Sequence, residues 1–227
     1  MTGRKQRTKP TSREWPAVPA RRPLPRGAGR AKKSGARREA ILAAALDEFS
    51  ARGFAAARIE DVARRAGVAK GTIYLHFADK EALFQELVRT MLGPLVASVD
   101  QLREIELPIR TVLERFAGLF VGEIYGTRRR DVVHLVISEG ARFPTLAEFY
   151  YREVIERGIA AMRALLERAI ARGEIPYTAL ARFPQLVVAP CLVAIIWRAL
   201  FDRFAHLDAA GTMQAHIDIL LGQRSAS

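Results

Sequence analysis

Beyond residue 36 the apolar residues recur at steps of three and four, and no convincing alternating strand pattern appears anywhere. That period confines the fold to packed helices, so the chain is expected to be all-α. Ile41, Leu42, Ala45, Leu46 and Phe49 form a first stripe, with Arg38, Glu39, Asp47 and Glu48 mostly off it. Gly53 ends this helix and leaves Phe54 to pack back over its last turn. Two short helices follow within residues 59–77. Asp79 is then placed to cap a fourth helix carrying Leu83, Phe84, Leu87, Val88 and Met91, which Gly93-Pro94 should disrupt or end.

The later chain continues in the same manner. Pro108 suits the first turn of a helix with the stripe Ile109, Val112, Leu113, Phe116, Phe120 and Ile124. A short apolar segment, residues 132–137, stops at Gly140 and Pro144. A long helix with Tyr151, Ile155, Ile159, Met162, Leu166 and Ala169 on one side closes at Gly173; Glu153 and Arg157 pair on its polar side. The last two segments, residues 184–204 and 211–221, are the most apolar. Half of the 227 residues are hydrophobic, enough for a sizeable core.

Charge divides the chain differently. Residues 1–38 hold 13 of the 36 basic residues against one acid, Glu14, and the rest carries 23 of each sign. The net charge of +12 therefore belongs to a tail and says little about the folded body. Residues 1–34, rich in Arg, Lys, Pro and Gly, have almost nothing to bury and are expected to be disordered. Such a tail reads as a basic arm that neutralises phosphates, as a solvated extension without function, or as an Arg-rich targeting peptide. No amino-terminal stretch has the apolar region of a secretory signal, and residues 183–197, nearly uncharged, are too few to span a bilayer. The expectation is a soluble cytoplasmic protein without a membrane partner.

Residues 59–77, IEDVARRAGVAKGTIYLHF, carry the most chemistry. A helix-turn-helix needs a small residue where its helices meet, a turn residue tolerant of positive φ, and a buried aliphatic on the second helix. Ala63, Gly67 and Ile73 supply these in order, with Val62 and Val68 flanking. The turn is too short for antiparallel helices, so they cross steeply and the second projects its amino end outward. Lys70, Gly71, Thr72, Tyr74, Leu75 and His76 would then be exposed. Lys70 can pair with a phosphate or a guanine edge, and Thr72, Tyr74 and His76 can donate to phosphate oxygens. Lys80 stands in the first turn of the next helix, although Asp79 and Glu81 beside it would oppose a phosphate. The same spacing also fits a purely structural pair of packed helices.

From Arg38 to Met91 the chain resembles the TetR family of transcriptional regulators, in REAILAAALDEFSARGF and then DVARRAGVAKGTIYLHFADKEALF. The resemblance implies a three-helix DNA-binding domain with a helix-turn-helix, followed by a helical effector-binding and dimerisation domain. The implied divisions are a tail over 1–34, a DNA-binding domain over 35–80 and an effector and dimer domain over 81–227. It implies a homodimer on a pseudo-palindromic operator in double-stranded DNA, acting as a repressor released by a small-molecule effector. The family-type DNA contacts fall on Arg58, Lys70, Gly71, Thr72, Tyr74, Leu75, His76 and Lys80. Family members usually have Thr or Ser just before the second helix; Ala57 and Arg58 stand there, which removes a cap worth roughly 1 kcal/mol. Arg58 is a compensating candidate for phosphate contact.

The resemblance also implies an effector cavity, for which Phe116, Phe120, Phe143, Phe149, Tyr150, Met162 and Trp197 are candidate lining residues. Aromatics at helical spacing equally well make plain core. Residues 184–204, with Ile217, Ile219, Leu220 and Leu221, could form a four-helix seam across a two-fold axis, or an internal core helix. No cofactor, metal or catalytic residue is expected. His134, His206 and His216 lack partners at metal-ligand spacing, and the single cysteine, Cys191, excludes an internal disulfide and suits a buried inert thiol. Two other classes remain open: a sequence-indifferent DNA-compacting protein driven by the tail, and an all-α small-molecule binding protein or enzyme.

Overall fold

The computed structural model describes residues 28–102, 106–176 and 179–222. The chain divides after Ala36 into a first unit, Met1–Ala36, and a second, Arg37–Ser227. Of the first unit only the start of helix α1 (Ala28–Ala56) is described. The greater part of the expected tail, residues 1–27, lies outside the described residues. The helix begins earlier than its apolar stripe, because past Pro25 and Gly27 the sequence AGRAKKSGARR offers Ala, Lys and Arg and no proline.

The second unit is helical, with no strand among the described residues, as the period required. Ile41, Leu42, Ala45, Leu46 and Phe49 of α1 are all buried. Gly53 breaks the helix with φ 74° and ψ 163°, a region open only to glycine, where another residue costs about 1–3 kcal/mol. A Cβ there would also meet the Glu139 carboxylate, but that side-chain end is free to shift, so the backbone sets the constraint. The kink turns Phe54 inward, where it is 2% exposed.

Helices α2 (Ile59–Ala66) and α3 (Lys70–Tyr74) pack against each other, and α4 (Lys80–Leu102) follows. The Asp79 carboxylate accepts from the Ala82 amide at 2.7 Å, the expected cap. The expectation of a break at Gly93-Pro94 is overturned: α4 runs through both. A mid-helix proline costs about 3 kcal/mol, but Leu92, Leu95, Val96 and Val99 are buried around it, and their burial at about 1.5–3 kcal/mol each outweighs the loss.

Helix α5 (Ile109–Leu119) continues into a π-helical turn, Phe120–Tyr125. The Glu174 carboxylate accepts from the free Ile109 amide at 2.5 Å and stands in for a cap. Helices α6 (Arg129–Glu139), α7 (Pro144–Tyr150) and α8 (Arg157–Ala171) come next, with a second π-helical turn, Tyr151–Glu156, within the stretch expected as one long helix. Short α9 (Ala179–Arg182), apolar α10 (Gln185–Leu200) and α11 (Ala209–Leu220) complete the described elements. Among the described residues no helix is long and apolar enough to cross a membrane.

Two cores hold this unit. One runs from α1–α4 into α6, α7, α10 and α11 without a break at residue 80, where a domain boundary was expected. Its centre is an aromatic set: Phe54 lies 5.4 Å from Phe49, 5.8 Å from Phe84 and 4.9 Å from Phe143. The other core joins α5 and α8 to α9–α11 through Val112, Leu113, Leu166 and Ile217. Residues on both sides of position 80 thus share the first core.

Candidate nucleic-acid interface

The turn between α2 and α3 is built as its sequence required. Gly67 sits at φ 66° and ψ 32°, left-handed backbone that glycine adopts freely, and the Val68 amide donates to the Ala63 carbonyl at 3.0 Å. Ala63 is buried, which lets the two helices approach, and Ile73 is fully buried as the anchor of α3. With Ile73 inward, the opposite side of α3 faces out. Tyr74 is 47% and Leu75 83% exposed, Lys70 and Gly71 are exposed, and Thr72 and His76 are half-buried. The His76 ring lies 6.1 Å from that of Phe77.

Arg58 precedes α2 in extended backbone, exposed, with no side-chain cap on the helix. The first turn of α2 instead carries Glu60 and Asp61, favourable beside free amides. Glu60 has a second effect: its carboxylate pairs with the Lys70 ammonium. The contact raises the Lys70 pKa and lowers that of Glu60, each chiefly through their mutual hydrogen bond. Both groups are open to solvent, so the pair adds little stability. The ammonium stands 5.8 Å from the Tyr74 ring, so lysine and tyrosine occupy one small surface.

Lys80, the remaining candidate for a phosphate contact, is engaged within the fold. Its ammonium donates to the carbonyls of Phe54, Ala55 and Ala57 at 2.7, 3.1 and 3.1 Å and lies 4.6 Å from the centre of the Phe54 ring. Three donors meet three acceptors, closing the end of α1 after the Gly53 kink. Burial pulls the Lys80 pKa below the ordinary lysine value, against the opposing pull of Glu139 and Glu81. Lys80→Met should therefore lower stability by about 1–3 kcal/mol by stranding these carbonyls. Thermal melts and the salt dependence of duplex binding check this. Unchanged melting with a salt slope reduced by about one ion would instead make Lys80 a phosphate contact.

An ion-pair lattice fixes α2 to α1. Arg52 bridges Glu48 at 3.0 Å and Asp61 at 3.3 Å, and Arg65 reaches Glu48 at 3.5 Å. Asp47 extends it to Arg128, just before α6, at 2.5 Å.

The seven aromatic and thioether candidates for an effector cavity do not converge on one. Phe120, Phe149 and Met162 are buried at 3%, 4% and 1% exposure, and Phe116, Phe143 and Tyr150 pack against the first core. Burial pushes the Tyr150 phenol above its ordinary pKa. The Trp197 indole donates to the Ala205 carbonyl at 2.7 Å. Two clefts stand out among the described residues, and none of the seven lines either. The larger, of about 540 Å3, lies between α1, α6 and α10 and is lined by Phe49, Arg130, His134, Ile195 and Arg198 among others. Sequence reasoning missed it, because its walls come from segments about 80 and 60 residues apart that share no local pattern. Cys191 is buried against Met213, its thiol pKa pushed up to about 12, and is chemically quiet.

Comparison with known proteins agrees with this geometry. Residues 41–87 match the family model of bacterial regulatory proteins, tetR family, and residues 108–211 match that of the tetracyclin repressor-like C-terminal domain. The HTH-type transcriptional regulator YhgD of Bacillus subtilis (strain 168) is 31% identical over 140 residues, covering 61% of this chain and 72% of that one. The HTH-type transcriptional repressor KstR2 of Mycolicibacterium smegmatis is 28% identical over 139 residues, 60% of this chain and 66% of that one. The structure of FadR from Bacillus subtilis in complex with stearoyl-CoA superposes with a TM-score of 0.65 at 18% identity, over 82% of this chain and 99% of that one.

Proposed function

Because this chain belongs to the TetR family of bacterial regulatory proteins, we propose that it is a cytoplasmic repressor of transcription that reads an operator through α3 and leaves it when an effector binds. It works by binding and not by catalysis. The observation that carries the reading is the exposed tip of α3, with Lys70, Tyr74 and Leu75 raised on a fully buried Ile73. A major groove admits a helix of this size. Lys70 exchanges the Glu60 carboxylate for a phosphate or a guanine edge, Tyr74 and Thr72 donate to phosphates, and Leu75 meets a thymine methyl or sugar. Gly71 leaves room for close approach, and Arg58 and His76 flank the track.

One such tip reads only a few base pairs, so two are needed. Helix α10 leaves Leu186, Val193, Ile196 and Leu200 exposed at steps of seven, three and four, an apolar stripe on one side. A second copy covering this stripe gives a two-fold homodimer and a pseudo-palindromic operator. Effector release is supported by the relationship to the family and by the ligand-bound state of FadR.

Lys70→Ala and Tyr74→Ala should each weaken operator binding by about ten- to a hundredfold. Their melting temperatures should barely move, since both side chains are exposed. Glu60→Gln, which removes the competitor for the Lys70 ammonium, should shift affinity the opposite way. Gel shifts on one duplex read all three, and unaltered affinity in both alanine variants would remove α3 from the interface.

A further inference from the structure

The cleft between α1, α6 and α10 holds polar groups that the fold leaves unused. Its apolar lining is the nearly closed edge of Phe49, Leu135 and Ile195, 0–4% exposed, with exposed Ala199 at the rim. Its acids are already engaged: Asp131 faces Arg128 at 3.7 Å and Arg130 at 3.5 Å, and Asp202 pairs with His206 at 2.8 Å. Arg130 is spent as well, donating to the carbonyls of Tyr125 and Thr127 at 3.2 and 2.7 Å. Two nitrogen-bearing side chains in the lining remain. Arg198 has no hydrogen bond or ion pair among the described residues and only covers the Tyr125 ring at 4.8 Å. His134, in the same lining on α6, has none either.

We propose that this cleft binds a small monocarboxylate with an apolar body, its carboxylate on Arg198 and His134 and its body against Ala199 and the edge of Ile195. One unpaired guanidinium favours one negative charge, and the two acids nearby disfavour a dianion such as phosphate. The volume of about 540 Å3 falls within the range of small-molecule sites. Binding itself is independent of any operator. Its regulatory consequence rests on the repressor reading above. The cleft's walls are the last turn of α1 before the Gly53 kink, helix α6, and the helix that carries the apolar stripe, so an occupant acts on the α3 platform and on the dimer seam together.

The test is titration calorimetry on the full chain without DNA, using benzoate and octanoate against octan-1-ol and inorganic phosphate. A carboxylate should bind saturably, at least about tenfold tighter than octan-1-ol or phosphate. Arg198→Gln should cost about tenfold in carboxylate affinity and leave octan-1-ol unaffected. Ser138→Phe, which fills the cleft from α6 and leaves Arg198 in place, should abolish binding and decides the matter if Arg198→Gln melts early. No saturable binding of either carboxylate, preference for phosphate, or a folded Arg198→Gln variant that binds as before would overturn the proposal. Gel shifts of the unliganded protein, run separately, report on the operator reading alone.

Discussion

Phe54→Ala is expected to destabilise the protein by about 3–5 kcal/mol. Phe54 is 2% exposed and packs against three other phenylalanines, two from α1 and α4 and one, Phe143, just before α7. Its ring also lies under the Lys80 ammonium. Truncation opens a cavity where the helix-turn-helix platform meets the body and removes aromatic contacts worth about 0.5–1.5 kcal/mol per pair. For a chain of this size the melting temperature should fall by roughly 6–20 °C. A drop corresponding to less than about 1 kcal/mol would mean that the cavity collapses and that the shared core is not the joint between platform and body.

The Val193→Glu, Leu200→Glu double variant is expected to be monomeric and to lose operator affinity by about a hundredfold or more. Both side chains are about half exposed on the α10 stripe, away from the buried Val187, Cys191 and Ala194 that hold the helix to its own subunit. The folded monomer should therefore survive. Two carboxylates facing their counterparts across a two-fold axis would be desolvated and repelled, which opposes association. Without the seam each half-site is bound alone, and the gain from linking two reading helices is lost. Sedimentation reads the oligomeric state, gel shift the affinity, and circular dichroism the helix content. A variant that stays dimeric, or a monomer that binds the operator as before, would move the seam elsewhere.

The α3 platform was legible because each requirement falls on a residue type with few substitutes: Gly67 for left-handed backbone, Ala63 for close approach, Ile73 for the anchor. Asp79 as a cap was legible for the same local reason. What could not be read depends on partners distant in sequence. The carbonyl partners of Lys80 on residues 54–57 lie more than twenty residues away and leave no mark near Lys80. Helix α4 survives Pro94 through tertiary burial that a local signal does not contain. None of the candidates for a cavity lines the larger cleft, whose polar lining joins Arg130 and His134, one turn apart on α6, to Arg198 on α10, a pairing that no local pattern signals. The π-helical turns at Phe120–Tyr125 and Tyr151–Glu156 likewise carry no local mark.

Selection of preferred sites from random duplexes by the purified full chain tests the central claim most directly. The account predicts enrichment of an inverted repeat with half-sites about one helical turn apart, as two α3 tips on a two-fold axis require, and loss of that enrichment in Lys70→Ala, Tyr74→Ala protein. Duplexes bound without any sequence preference, or the same consensus recovered by the double variant, would contradict it.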